Sequence, residues 1–403
     1  MISAEGRISD PAGSGIVLTL ATAFFVAGCI LLAFNGPSLG ALHAFAAFIV
    51  LAITAALNQL LPVLITAPVA KPAAVIAAGV GFATGFALLI AGFYGFPTFA
   101  AAGVILAATA VVWVFWNVLR VLAGFRERQT RLMMALALLG FLAAAVIGAF
   151  MASALGGAWS AGVLALAPIH AILALGAFAT TLVIAISYRF VPMFAVAKAN
   201  AYGKRIPQWL AAFAIALMLV QMRAGLILLL VCAIWIVISH ARTLEARLRK
   251  RIDVSIRYAI AGWAFGVLGC ALAIGATFDA RFGTAAVIAA LLGWLCTTTL
   301  GYVYKVAGFL AWQSARERYP ASAVSLPPLS SAVDMRLAMP ALVLLLCGTL
   351  AAVVLSIVAP GYAAIGFDIY AAGGLLAVLA AVRLASIYVF GRFTSTGGAH
   401  AVG

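Results

Sequence analysis

Two of the four histidines, His43 and His170, fall inside long apolar stretches of the chain. An imidazole in such a setting can ligate a metal or carry a proton, and an ionisable group within a membrane is a functional candidate by default. Each of these histidines opens a segment that closes on a short polar or basic knot. From His43 the segment runs to Asn58-Gln59 and Pro62; from His170 it runs to Tyr188-Arg189 and Pro192. A third segment, from Gly293 to Leu310, carries the knot Tyr304-Lys305 but no histidine. The spacing is approximate: the histidines are 127 residues apart and the prolines 130, and Ala307 takes the matching place 115 residues later. The other two histidines lie elsewhere, His240 at the end of an apolar stretch beside Arg242 and His400 in a Gly- and Ala-rich tail.

The elements that must position these groups follow from composition. The chain is 67% hydrophobic and 8% charged over 403 residues, more apolar surface than water tolerates, so its solvent is lipid. Continuous rather than alternating hydrophobicity selects helices over a barrel. Twelve stretches reach the roughly 20 residues that cross a bilayer: 15–35, 39–65, 72–95, 97–122, 130–154, 163–190, 206–222, 224–241, 255–276, 283–310, 338–359 and 369–391. The net charge of +15 lies in the loops between them and reads as an orientation signal rather than as nucleic-acid binding. With the N-terminus inside, only Arg223 and Arg281 of the 24 basic residues fall on the outer side. We therefore expect an all-α polytopic membrane protein with twelve transmembrane helices and both termini cytoplasmic. No cleavable leader is apparent, since residues 1–14 are polar and contain Glu5 and Asp10.

The three knotted segments are spans 2, 6 and 10, which implies three parallel four-helix units over about 15–122, 130–241 and 255–391, forming one membrane domain. An even number of helices per unit keeps the copies in one orientation, so His43 and His170 share a depth near the outer face. The polar groups Asn58, Gln59, Tyr188, Arg189 and Lys305 sit at inner helix ends, where they anchor the helices or meet lipid phosphate. Tyr188, Tyr302 and Tyr304 are expected in the interfacial aromatic belt. Thr180, Thr181 and Ser187, together with Thr297, Thr298 and Thr299, are expected to bond back to their helices. The five cysteines stand singly in apolar runs and read as packing residues. All nine carboxylates fall in loops, tails or span ends, so no mid-membrane carboxylate relay is available.

This layout resembles the large subunit of haem-copper oxidases, and more closely its diverged oxidase-subunit-I-like and NnrS-type relatives. Tyr188-Arg-Phe-Val-Pro-Met-Phe194 and Gly301-Tyr-Val-Tyr-Lys-Val-Ala-Gly-Phe-Leu-Ala-Trp312 look like the span 6 and span 10 signatures of such relatives. The resemblance implies His43 as a low-spin haem ligand and His170 as a copper ligand. It also shows what is missing: the family has a histidine pair on span 7 and two histidines on span 10, and Ile206–Met222 and Ala285–Trp312 contain none. Cys296 is a possible substitute ligand; Met193 lies at the wrong end. An intact oxygen- or nitric-oxide-reducing centre is therefore not expected, nor an active terminal oxidase. Three functions stay open. The chain is an oxidase-like bacterial inner-membrane protein that binds haem or copper incompletely or not at all, an accessory subunit of a larger membrane complex, or a transporter of a small solute through a cavity among spans 2, 6 and 10.

Overall fold

The computed structural model describes residues 11–65, 72–123, 128–155, 161–197, 205–248, 251–318 and 334–389. Regular structure among them is helical, as backbone satisfaction in lipid requires; the one β-type contact is an isolated bridge between Ala197 and Arg247. The chain runs through α1 (Pro11–Asn35), α2 (Leu39–Ile65), α3 (Pro72–Phe93), α4 (Pro97–Ala123) and α5 (Arg128–Leu155). The next helix, α6, is composite: a 3₁₀ turn Ala161–Leu166, an α segment Ala167–Ala171, a π segment Ile172–Thr180 and an α segment Thr181–Ala195. Then come α7 (Arg205–Met218), α8 (Met222–Glu245) and α9 (Val254–Ala276). The tenth, α10, is again composite, with α segments Arg281–Ile288 and Thr297–Arg318 on either side of a π segment Ala289–Cys296. Two more follow, α11 (Met335–Val358) and α12 (Ala363–Val389).

Among the described residues eleven of these helices, not twelve, are long and apolar enough to cross a membrane. The exception is α7. Its 14 residues rise about 21 Å, against a hydrocarbon core of roughly 30 Å. The expected segment 206–222 is cut short because the backbone turns at Leu219-Val220-Gln221, with the Gln221 amide donating to the Leu217 carbonyl at 2.7 Å. Gly225 allows α8 to fold back tightly, since a Cβ there would lie 2.5 Å from the Met218 nitrogen. Direction is nevertheless preserved. The Leu248 amide donates to the Val196 carbonyl at 3.1 Å, so α6 and α8 end side by side. Gln129 Nε2 donates to Gln208 Oε1 at 2.7 Å, joining the starts of α5 and α7. The short helix therefore runs opposite to both α6 and α8.

Three helices sit innermost. In their most apolar windows 78% of α2, 56% of α6 and 83% of α10 residues are buried, against no more than 44% in any other long helix. They meet along one seam, where Ala52, Ile53, Val183, Ile186, Tyr302 and Val303 line a cavity of about 20 Å³. The remaining helices pack around these three in chain order, and α1 closes against α12. In lipid, helix association rests on close packing and hydrogen bonds rather than on burial from water, which favours small residues at contacts. In the α3–α4 hairpin a Cβ on Gly85 would lie 2.6 Å from the Gly103 carbonyl. In the α11–α12 hairpin a Cβ on Gly348 would strike the Tyr370 backbone, and one on Gly366 the Ala352 backbone.

Candidate functional site

His43 and His170 come together. Their ring centroids lie 6.3 Å apart with the planes inclined by 22°. His43 stands one turn into α2, and its Nδ1 meets the carbonyl of Leu39 at 2.7 Å on its own helix. His170 lies in the short α segment of α6, just after Pro168 and just before the π segment. Its Nδ1 meets the carbonyl of Ala144, on α5, at 3.0 Å. A carbonyl only accepts, so each Nδ1 carries the hydrogen and each Nε2 keeps a lone pair when the ring is neutral. This is the orientation that metal-binding imidazoles take when a backbone carbonyl holds the second nitrogen. Phe93 and Phe86 of α3 flank the His43 ring at 5.0 and 6.4 Å. Gly148 of α5 leaves space for His170, where a Cβ would approach Cε1 at 3.1 Å.

Two imidazoles that share one ion, each bonded at about 2.0 Å, put their ring centres up to roughly 6 Å apart. The observed separation is about the limit at which the two rings could share one ion. Among the described residues no group of three or more His, Cys, Asp or Glu side chains gathers to hold a metal, so the pair offers two nitrogen ligands. Zinc and Cu(II) favour four ligands, whereas two neutral imidazoles match a soft, low-coordinate ion such as Cu(I). Haem fits less well. Its macrocycle needs a slot around the axial imidazole, and His43 is closed in by Phe93 and Phe86 while His170 is closed in by the α5 backbone.

The other expected site residues lie about 22 Å further along α2 and at the same end of its neighbours, by the rise of 1.5 Å per residue. Protein partners hold them. Asn58 Nδ2 donates to the Thr54 carbonyl at 2.8 Å, and Gln59 Nε2 donates to Gln313 Oε1 of α10 at 2.7 Å. Lys305 Nζ pairs with Asp253 Oδ2 at 2.5 Å and sits 5.8 Å from the centre of the Phe194 ring. Arg189 is half-buried. Tyr188, Tyr302 and Tyr304 are buried rather than belted at the interface, and this corrects the expectation from sequence. Two of their hydroxyls find polar partners inside the protein, which removes the reason to face headgroups. Tyr302 shares a 2.7 Å hydrogen bond with Ser187, and Tyr304 donates to the Ala377 carbonyl of α12 at 2.9 Å. The expected back-bonding holds for Thr180, Thr181 and Thr297, each of which donates to the carbonyl five residues back. It does not hold for Thr298, whose hydroxyl is buried without a hydrogen-bond partner among the described residues, nor for Ser187, which bonds Tyr302 instead. Cys29, Cys232 and Cys296 are buried and Cys347 is exposed, all as free thiols.

One group escaped the sequence reading. His240 is only 1% exposed, stacked on Trp263 at 4.5 Å with Tyr188 at 4.8 Å. The sequence places it only at the end of an apolar stretch beside Arg242. The buried stripe Cys232, Ile236, Ser239, His240, Thr243 is the helical-period signal that marks its true face. A comparison with models of known protein families finds no match, and neither does a comparison with curated proteins.

Proposed function

We propose that this chain is a diverged protein of the haem-copper oxidase type that has kept the helical frame without a dioxygen- or nitric-oxide-reducing centre, and that it holds a single Cu(I) ion between His43 and His170. The observation that carries the reading is the histidine pair itself: two rings 6.3 Å apart, each with Nδ1 on a backbone carbonyl. Bound there, copper would supply a one-electron redox centre or a transfer site for the metal. His43 and His170 would hold it through Nε2, with Phe86 and Phe93 flanking the His43 ring.

The frame we propose is twelve helices in three parallel four-helix units, both termini cytoplasmic, in a bacterial inner membrane. Internal correspondence supports it. Thr181 and Thr297, Tyr188 and Tyr304, and Arg189 and Lys305 are each 116 residues apart, and both π segments end just before the matched threonines. Tyr188 of α6 packs on His240 of α8, and Tyr304 of α10 bonds to α12, the same step of two helices. A solute path has weaker support, because the seam among α2, α6 and α10 leaves only about 20 Å³. The accessory-subunit reading has no observation of its own.

Titration of the purified protein with Cu(I) under reducing conditions, against a chromophoric chelator, tests the proposal. One copper per chain is expected in the wild type, and none in His43→Ala or His170→Ala. Absence of stoichiometric uptake by the wild type, or uptake retained by both variants, would overturn it. A copper-free protein that co-purifies with another membrane subunit would favour the accessory role.

A further inference from the structure

We infer that Gly148 is the positioning residue of the histidine pair: by lacking a side chain it leaves the ring room beside the Ala144 carbonyl and so fixes the tautomer and aim of His170. This rests on the reading of His43 and His170 as a two-imidazole site, and it names what on a third helix builds that site.

The argument begins with helix geometry. In an α-helix each Cα–Cβ bond tilts towards the N-terminus, so the side chain at position i+4 lies over the carbonyl of position i. On α5, residue 148 stands in that relation to residue 144. A side chain at 148 would therefore stand beside the acceptor that His170 uses and against the ring itself, and glycine leaves that space open. The distances agree. A Cβ built on Gly148 would lie 3.1 Å from Cε1 and 3.5 Å from Nδ1 of His170, the edge of the ring that faces the carbonyl. The ring atoms nearest the missing side chain are therefore those next to the 3.0 Å contact with Ala144.

The two histidines are held in unequal ways. His43 bonds to Leu39 on its own helix, so its tautomer is set locally. His170 has no such arrangement and reaches across to α5. The α5–α6 contact is close elsewhere too, since a Cβ on Gly140 would lie 2.7 Å from Ala177 Cβ. Gly140 thus brings the helices together within the π segment of α6, and Gly148, two turns along α5, gives the imidazole its room.

The experiment is nitrogen-15 NMR of histidine-labelled, metal-free protein in lipid, with the His43→Ala and His170→Ala spectra assigning the signals. In the wild type the neutral His170 ring is expected in the Nδ1–H form. In Gly148→Ala that form gives way to the Nε2–H form or a mixture, while the His43 signal stays in place. Cu(I) affinity of the same variant falls tenfold or more, the range for loss of an orienting partner of a metal ligand. A role in packing alone would lower the melting temperature and leave the tautomer unmoved, and that result overturns the inference. A wild-type His170 in the Nε2–H form also overturns it, without need of any variant. If the wild type takes up no copper but shows the expected tautomer and its loss in Gly148→Ala, the metal reading fails and the positioning role stands.

Discussion

At the scale of single residues the chain separates two kinds of polar group. The depth of His43 and His170 was legible in the sequence, but not their meeting, because the resemblance assigns them to two different cofactors. Nor were their holders, since a backbone carbonyl and a missing side chain leave no mark in residue type. At the opposite end of the bundle Lys305 and Asp253 make a partly buried pair, with side chains 15% and 17% exposed. Burial works against the ionised form of Asp253, but the Lys305 hydrogen bond and charge, with help from Ser255, outweigh it and hold the carboxyl below its usual range. A carboxyl depressed by folding stabilises the protein above its unfolded pKa, about 3.9, and loses that contribution as pH falls through the folded value. Lys305→Met is therefore expected to cost about 3 kcal/mol at neutral pH, the cost of leaving a buried charge unpaired. Thermal unfolding at pH 7 and pH 3 checks the sign. The gap between wild type and variant narrows on acidification, and a gap of equal size at both pH values contradicts the assignment.

At the scale of elements the π segments were the least legible feature. Ile172–Thr180 and Ala289–Cys296 contain no residue that demands a wide turn. The trace they leave is spacing: His170 to Pro192 takes 22 residues where His43 to Pro62 takes 19. A π turn holds more residues for the same rise, so α6 needs extra sequence to carry its knot to the same depth as α2. Because His170 lies two residues before the start of the π segment, the segment also sets the ring's azimuth. Deleting one residue between Ile172 and Thr180 lets the stretch relax towards α-helix and changes the rotation of everything before it. The expected outcome is loss of Cu(I) uptake with unchanged helical content by circular dichroism. The same deletion between Ala289 and Cys296 of α10 should leave uptake in place. Equal loss from both deletions would mean that the π segment acts through general packing.

At the scale of the whole molecule the helix limits were read well, since charge clusters and prolines punctuate nearly every turn. The shortness of α7 was missed because Leu219 and Val220 are apolar enough to extend a hydropathy window through what is a turn. The polar knots single out α2, α6 and α10, but not the tightness of their seam, which depends on how Ala52, Val183 and Val303 interlock. The closure of α1 on α12 bears on how the protein is made. Gly374 of α12 lies against Cys29 and Phe25, so part of the α1 face stays uncovered until α12, which follows ten further helices, has been translated. Until then the membrane holds an open arc of helices, a target for quality-control proteases. Truncation before Pro360 is expected to lower the steady-state amount several-fold in a pulse-chase measurement, with recovery when α12 is supplied as a separate chain. A truncated protein as long-lived as the full one would show that the arc is stable unclosed. Biogenesis of this molecule is therefore timed by the arrival of α12 rather than by its core.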